Sequence, residues 1–247
     1  LGKSHSQRLA NEADARRERE LIRRILTMPS KGPLEIIGQF NRSAHFIEEP
    51  VKPGSISTSD KAQLMRLHQE VFPTFPYDFS YKLELMMDSP DTYLMMIARS
   101  SSAGDICSFS NLEVNDLVLE DGQKFRFSEF DNSMSRKPRG DGEGMTGSPG
   151  SRVRLELARL AHQKNVDLCY AESRAGLVAI NQISHHIGMR FGGALEKHLL
   201  ISGINDIDYQ APSSFETMNV WFLNRQDLAK LEQACTQTPE ERTFGKK

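Results

Sequence analysis

The stretch RKPRGDGEGMTGSPGSRVRLELARLA, Arg136 to Ala161, sets five glycines and two prolines directly before a segment with apolar residues at helical spacing. Val153, Leu157, Leu160 and Ala161 fall on one helix face, so the chain changes its period here. Upstream, residues 92–100, 106–114 and 124–132 alternate as strands, with turn signals at Gly104 and Asp121-Gly122, and form an antiparallel meander. Downstream, residues 166–173 read as a strand, 177–188 as a helix, and 189–201 and 215–224 as two further strands. Before the meander, residues 44–48 read as a first strand. A helix then carries Leu64, Leu67 and Val71 on one face, capped by Thr58 or Ser59 and ending at Phe72, and a short helical piece follows. Pro29, Gly32 and Pro33 are read as breakers. This order predicts a mixed α/β (α+β) fold with a largely antiparallel central sheet flanked by helices.

Composition narrows the function. A chain of 247 residues has enough apolar mass for one good-sized core with extensions. A net charge of -2 and a pI near 6.4 argue against a nucleic-acid partner, which a basic face would recognise. No apolar run approaches the ~20 residues that cross a bilayer, and the charged N-terminus does not read as a secretory leader, so no membrane partner is expected. Cys107, Cys169 and Cys235 are widely spaced, which suggests neither disulfides nor a metal site and fits a reducing cytoplasm. Residues 8–26 mix charges around a thin stripe of Leu21, Ile22, Ile25 and Leu26. They read as a weakly packed helix suited to a linker, to an upstream domain, or to a second copy in a homodimer. The chain opens on Leu1, which leaves room for a preceding segment. The expected division is a charged helical extension over 1–33, a main domain over 34–225, and a C-terminal helix with a polar tail over 226–247.

Arg139-Gly140-Asp141-Gly142-Glu143-Gly144 follows the third meander strand. With the element order, it resembles the Gcn5-related N-acetyltransferase (GNAT) superfamily, whose acyl-CoA loop reads Q/R-x-x-G-x-G/A; Arg139, Gly142 and Gly144 fill the motif positions. A more specific block is SRAGLVAINQISHHIGMRFGGAL, residues 173–195, followed by FETMNVWFL, residues 215–223. Arg174, Ala175, Asn181, Gly188, Phe191, Gly192, Gly193, Met218, Asn219, Val220 and Trp221 are similar in order and spacing to the β-lysine N-acetyltransferase branch of that superfamily. The VFPTFPY stretch, residues 71–77, resembles a phenylalanine-proline segment of the same branch. The resemblance implies an enzyme that moves an acetyl group directly from acetyl-CoA to the primary amine of a small, β-lysine-like molecule. Two alternatives stay open: a GNAT-like module that has lost catalysis and serves an upstream enzyme, and an acyltransferase with a protein or carrier-protein acceptor.

The resemblance also implies roles. A glycine-rich turn feeding a helix presents free N–H groups to the pyrophosphate of coenzyme A, with no side chains to hold the backbone away. Asp141 and Glu143 oppose an anion there, and residues 145–150 read as an insertion. The phosphate contacts therefore fall at Gly142 to Gly144, beside Gly140, or at Gly147 to Ser151, with Arg152 and Arg154 offsetting the acidic charge. An ammonium acceptor has a pKa of about 10.4 and needs a base. Glu129 shares a strand face with Phe125, Phe127 and Asp131, where burial would raise its pKa; the alternative is a solvated strand end. A backbone N–H between Asp131 and Ser133 is expected to hold the oxyanion. The family's tyrosine acid, four residues before the helix-ending glycine, is Ser184 here, which leaves the adjacent His185 as the candidate proton donor. Asn181 carries over as a contact to the pantetheine arm. Arg174 and Asn219 either contact cofactor or acceptor or satisfy backbone groups, and Phe75 and Tyr77 either wall the acceptor pocket or plug the core. No metal is expected.

Overall fold

Charged residues around a thin apolar stripe form α1 (His5–Thr27), the first element of the computed structural model, which describes residues 5–41, 45–47, 51, 55–72, 78–101, 103–136, 149–200 and 215–236. Ile22 and Ile25 in its last turns are buried in the main core, a firmer attachment than a linker helix would make. Gly32-Pro33 opens a helix where a break was expected: α2 (Gly32–Asn41) buries Ile36 and Phe40. A proline in the first helical turn removes only an N–H that has no intrahelical acceptor. The expected boundary at 33/34 therefore falls inside α2.

The short strand β1 (His45–Ile47) precedes α3 (Thr58–Val71). The cap of α3 is Ser57, ahead of both expected positions, Thr58 and Ser59. Its hydroxyl accepts the Asp60 N–H at 3.1 Å, and the Asp60 carboxylate accepts the Ser57 N–H at 3.2 Å. Helix α4 (Phe79–Asp88) leads into the meander β2 (Tyr93–Ser100), β3 (Ile106–Val118) and β4 (Lys124–Ser135). The chain then forms α5 (Pro149–Gln163), β5 (Leu168–Arg174), α6 (Val178–His186), β6 (Arg190–Leu200), β7 (Phe215–Asn224) and α7 (Arg225–Thr236).

The strands make one seven-stranded sheet in the order β1-β2-β3-β4-β5-β7-β6. Every neighbouring pair is antiparallel except β4 and β5. Alternate residues of β2 feed opposite faces: Met96 and Ala98 pack with α1, α2, α5 and α7, while Met95 and Ile97 pack with α3 and α4. No helix among the described residues is long and apolar enough to cross a membrane.

Strand β4 switches faces part-way along. Between Leu112↔Phe130 and Ser110↔Ser133, Asp131 and Asn132 oppose Asn111 alone, which is a β-bulge. Phe130 consequently joins the α5-side core with Leu112, whereas Met134 joins the α3/α4-side core with Phe109. Simple alternation, correct up to Glu129, carries no signal for this step.

Candidate functional site

Strands β4 and β5 pair for only three residues, Phe127↔Leu168, Ser128↔Cys169 and Glu129↔Tyr170. Beyond that point both strands continue unpaired with each other, β4 to Ser135 and β5 to Arg174. A cavity of about 640 Å³ occupies the split between them. On the α3/α4 face it is lined by Glu129, Asp131, Glu172 and Arg174; on the α5 face by Ser133, Ser135, Gly150, Arg154, Ser173 and Ile183. A molecule in the split reaches both faces of the sheet at once.

Glu129 lies where the split closes. Tyr170, directly opposite, donates its hydroxyl to the Glu129 carboxylate at 2.9 Å. Burial pushes the Glu129 carboxyl up to about 7, against that hydrogen bond and with help from the neighbouring charges of Asp131, Glu172 and Glu113. Lys82 of α4 neutralises part of this cluster, reaching Glu113 at 2.9 Å and Asp131 at 3.0 Å. Arg174 is paired with Glu216. The α3/α4 side therefore offers a base poised near neutrality within an excess of carboxylates.

The α5 side is built differently. Gly150 in the first turn of α5 packs so closely that an added Cβ would meet the Ser135 Cβ at 3.2 Å and the Ile183 Cδ1 at 3.3 Å. The first turn of α5, whose N–H groups have no acceptor within the helix, meets the open end of the split at Gly150. The Ser173 hydroxyl is buried with no hydrogen-bond partner among the described residues. Arg154 is 2% exposed, donates to the Ser133 hydroxyl at 3.0 Å and the Ser184 hydroxyl at 2.7 Å, and lies over the Phe130 ring. Among the described residues no carboxylate pairs with it. Nor do three His, Cys, Asp or Glu side chains among the described residues lie close enough together to hold a metal ion.

No family model and no curated protein matches the chain in sequence. Solved structures match in shape. Ribosomal-protein-S5-alanine acetyltransferase from Vibrio fischeri aligns with a TM-score of 0.54 and 11% identity, covering 75% of this chain and 96% of its own. NAA60 of Arabidopsis thaliana, in complex with a bisubstrate analogue, aligns at 0.53 with 13% identity over 73% of this chain and 97% of its own. Spermidine N-acetyltransferase from Vibrio cholerae, in complex with CoA and spermine, aligns at 0.52 with 12% identity over 76% and 99%. The chain has the GNAT fold.

Within that fold several expected residues prove to be occupied elsewhere. Asn181 is fully buried: its amide donates to the carbonyls of Arg174 and Leu177 at 3.0 and 2.7 Å, and its oxygen accepts from Asn219 at 3.0 Å and Trp221 at 2.9 Å. An asparagine has two donor hydrogens and two acceptor lone pairs, so nothing remains for a pantetheine arm. Asn219 is buried in the same knot, behind the cavity wall. His185 turns away from the split, its Nε2 lying 2.9 Å from the Met28 carbonyl between α1 and α2. Arg152 pairs with Glu156 at 2.6 Å outside the cavity lining. Ser151 is buried in the first turn of α5. Ser184 meets the cavity only through the arginine it holds. Of the three candidate oxyanion donors, the Asn132 N–H is taken by the Asn111 side chain at 3.1 Å. Phe75, Tyr77, Arg139, Gly140, Gly142, Gly144 and Gly147 lie outside the described residues.

Tyr170 was missed; it alternates with Glu172 and Arg174 on β5, a weak signal until the facing strand is known. Arg154 was expected to offset the acidic charge of the glycine-rich loop, whereas with Gly150, Ala158 and Ala161 it falls on the buried stripe of α5, where a charged residue is out of place.

Proposed function

We propose that this chain is an acyl-CoA-dependent N-acetyltransferase that transfers an acetyl group directly to the primary amine of a small, cationic, amino-acid-like molecule of the β-lysine type. The observation that carries this reading is a single cavity with a near-neutral carboxyl, Glu129, on one side of a split sheet and a helix N-terminus on the other. Acetyl-CoA is the co-substrate that the α5 side fits. Gly150 lets the start of α5 approach β4 closely, and among the described residues the Ser173 hydroxyl has no hydrogen-bond partner and Arg154 no carboxylate. The pyrophosphate belongs at the start of α5, where the helix dipole and free N–H groups favour negative charge.

On the α3/α4 side, Glu129 takes the proton of the incoming ammonium while Tyr170 orients its carboxylate. The freed nitrogen attacks the thioester carbonyl, and the oxyanion falls to a β4 backbone N–H beside the bulge, at Asp131 or Ser133. Asp131 and Glu172 favour a cationic acceptor, and Arg174 is the guanidinium placed to meet an acceptor carboxylate. The free thiols of Cys107, Cys169 and Cys235 suit a reducing cytoplasm.

Calorimetric titration with acetyl-CoA and with desulfo-coenzyme A tests the donor half. An amine panel beginning with β-lysine, lysine and spermidine tests the acceptor half. Binding of both nucleotides and acetylation of at least one diamine are expected; loss of turnover in Glu129→Gln with acetyl-CoA binding retained assigns the base. Absence of binding by either nucleotide overturns the reading in favour of a GNAT-like interaction module.

A further inference from the structure

The order of residues along the split assigns a role to Arg154. Strand β4 and helix α5 run past each other in opposite directions. At the open end Gly150 of α5 abuts Ser135; next, Arg154 meets Ser133 and Phe130; at the closed end stand Glu129 and Tyr170. Arg154 lies four positions, about 6 Å of helix, beyond Gly150, and its side chain carries the guanidinium further, to 4.7 Å from the centre of the Phe130 ring, next to Glu129 in β4. A thioester lying along this path with its phosphates at the start of α5 brings its carbonyl to Glu129. Its sulfur then lies on the α5 face, level with Arg154. The nucleophile comes from the α3/α4 face, so the sulfur departs toward the guanidinium.

The arginine is built for an anion that the described residues do not supply. Burial lowers its pKa to about 10, yet it stays charged at neutral pH, fixed by two serine hydroxyls and an aromatic face. A buried cation with no carboxylate beside it is unfavourable. That cost falls when a negative charge develops beside it, which is the condition for transition-state rather than ground-state stabilisation. Neither His185, the expected proton donor, nor Ser184, which stands at the family's tyrosine position, lines the cavity; Ser184 instead tethers the guanidinium.

We propose that Arg154, held by Ser133 and Ser184 on the α5 face of the split, is the catalytic cation that stabilises the coenzyme A thiolate as it leaves. The inference rests on the acyltransferase reading above. The steps balance without a protein acid. One ammonium proton passes to Glu129, and the nitrogen lone pair forms the C–N bond. The C–S bond then breaks with its electron pair going to sulfur beside the guanidinium. A second nitrogen proton reaches the thiolate through solvent, leaving the amide with the third.

The test is an ultraviolet titration of the thiol of coenzyme A bound to the purified chain, with desulfo-coenzyme A as blank, for the parent protein, Arg154→Met, Arg154→Lys and Ser184→Ala. An opposite charge within about 4–6 Å lowers a pKa by 1–3 units. The bound thiol is therefore expected to titrate at least one unit below free coenzyme A in the parent protein and in Arg154→Lys. In Arg154→Met it should return to the free value. Turnover of Arg154→Met should fall at least tenfold with acetyl-CoA and recover in part with thioesters of more acidic thiols. Ser184→Ala, which keeps the charge and loosens its tether, should show a partial loss of the thiol shift, and it serves if Arg154→Met does not fold. Binding by the parent protein with an unshifted thiol, or an equal shift in parent and Arg154→Met, overturns the role of Arg154 alone. Failure of the parent to bind coenzyme A overturns the acyltransferase reading and this proposal with it.

Discussion

Glu129 and Asn181 were both expected to serve at the site, and their surroundings set them apart. Glu129 is partly buried among other carboxylates, with Tyr170 as its one hydrogen-bond donor among the described residues, so its proton is retained up to about pH 7. Two consequences follow for pH. Because the base must be ionised, kcat/KM should rise as pH increases through about 7 and then level off, and Tyr170→Phe should move that midpoint upward. Because the folded-state pKa lies above the ordinary 4.5, the stability that a neutral Glu129 contributes is complete below about pH 4.5 and is lost as pH rises through about 7, by about 3 kcal/mol in all. Glu129→Gln should therefore unfold at higher denaturant than the parent at pH 8 and equally at pH 4, while losing turnover. Asn181 presents the reverse case, every hydrogen-bonding position being used inside the protein. Asn181→Ala should cost about 3 kcal/mol in chemical denaturation by orphaning Trp221 and Asn219, with little change in the acetyl-CoA affinity of the protein that remains folded.

At the scale of elements, the split between β4 and β5 and the start of α5 act together. The period change at Ser151 makes α5 legible in the sequence, as the alternation of β4 makes Glu129 legible. The approach of Gly150 to Ser135 and Ile183 is not, because it depends on how α5 lies across β4 and α6. Gly150→Val should push the helix start away from β4 and reduce acetyl-CoA affinity at least tenfold by calorimetry, with circular dichroism unchanged. The bulge at Asp131-Asn132 is equally silent in the sequence. It moves Met134 to the α3/α4 core while leaving Ser133 and Ser135 facing α5, and so divides the site into two halves. Helix α6 illustrates a local signal overridden by its neighbours. His185 and Ser184 sit at its C-terminal end as expected, but Ser30 donates to the carbonyls of His185 and His186 at 3.1 and 3.2 Å, and the His185 ring is drawn to Met28.

For the molecule as a whole, these contacts change the status of the N-terminal segment. Ile22 and Ile25 of α1 and Ile36 of α2 share a core with α5, α7 and the sheet. Burial of such side chains stabilises by about 2 kcal/mol each. Deleting residues 1–27 should therefore lower the unfolding midpoint markedly rather than release an intact domain; an unchanged midpoint by differential scanning fluorimetry would restore the linker reading. The sequence by itself determined the order of elements from β1 onward, the largely antiparallel sheet and the strand face that carries Glu129, because periodicity and turn residues act over a few neighbours. It placed Arg154 near the cofactor loop but did not show that the residue is buried against β4 and α6. Only the tertiary structure decided which polar residues face the cavity and which are spent inside the protein. That choice depends on strand splaying, a one-residue bulge and the crossing of α5 over β4. Each sets distances between residues far apart in the chain, and no local pattern encodes those distances.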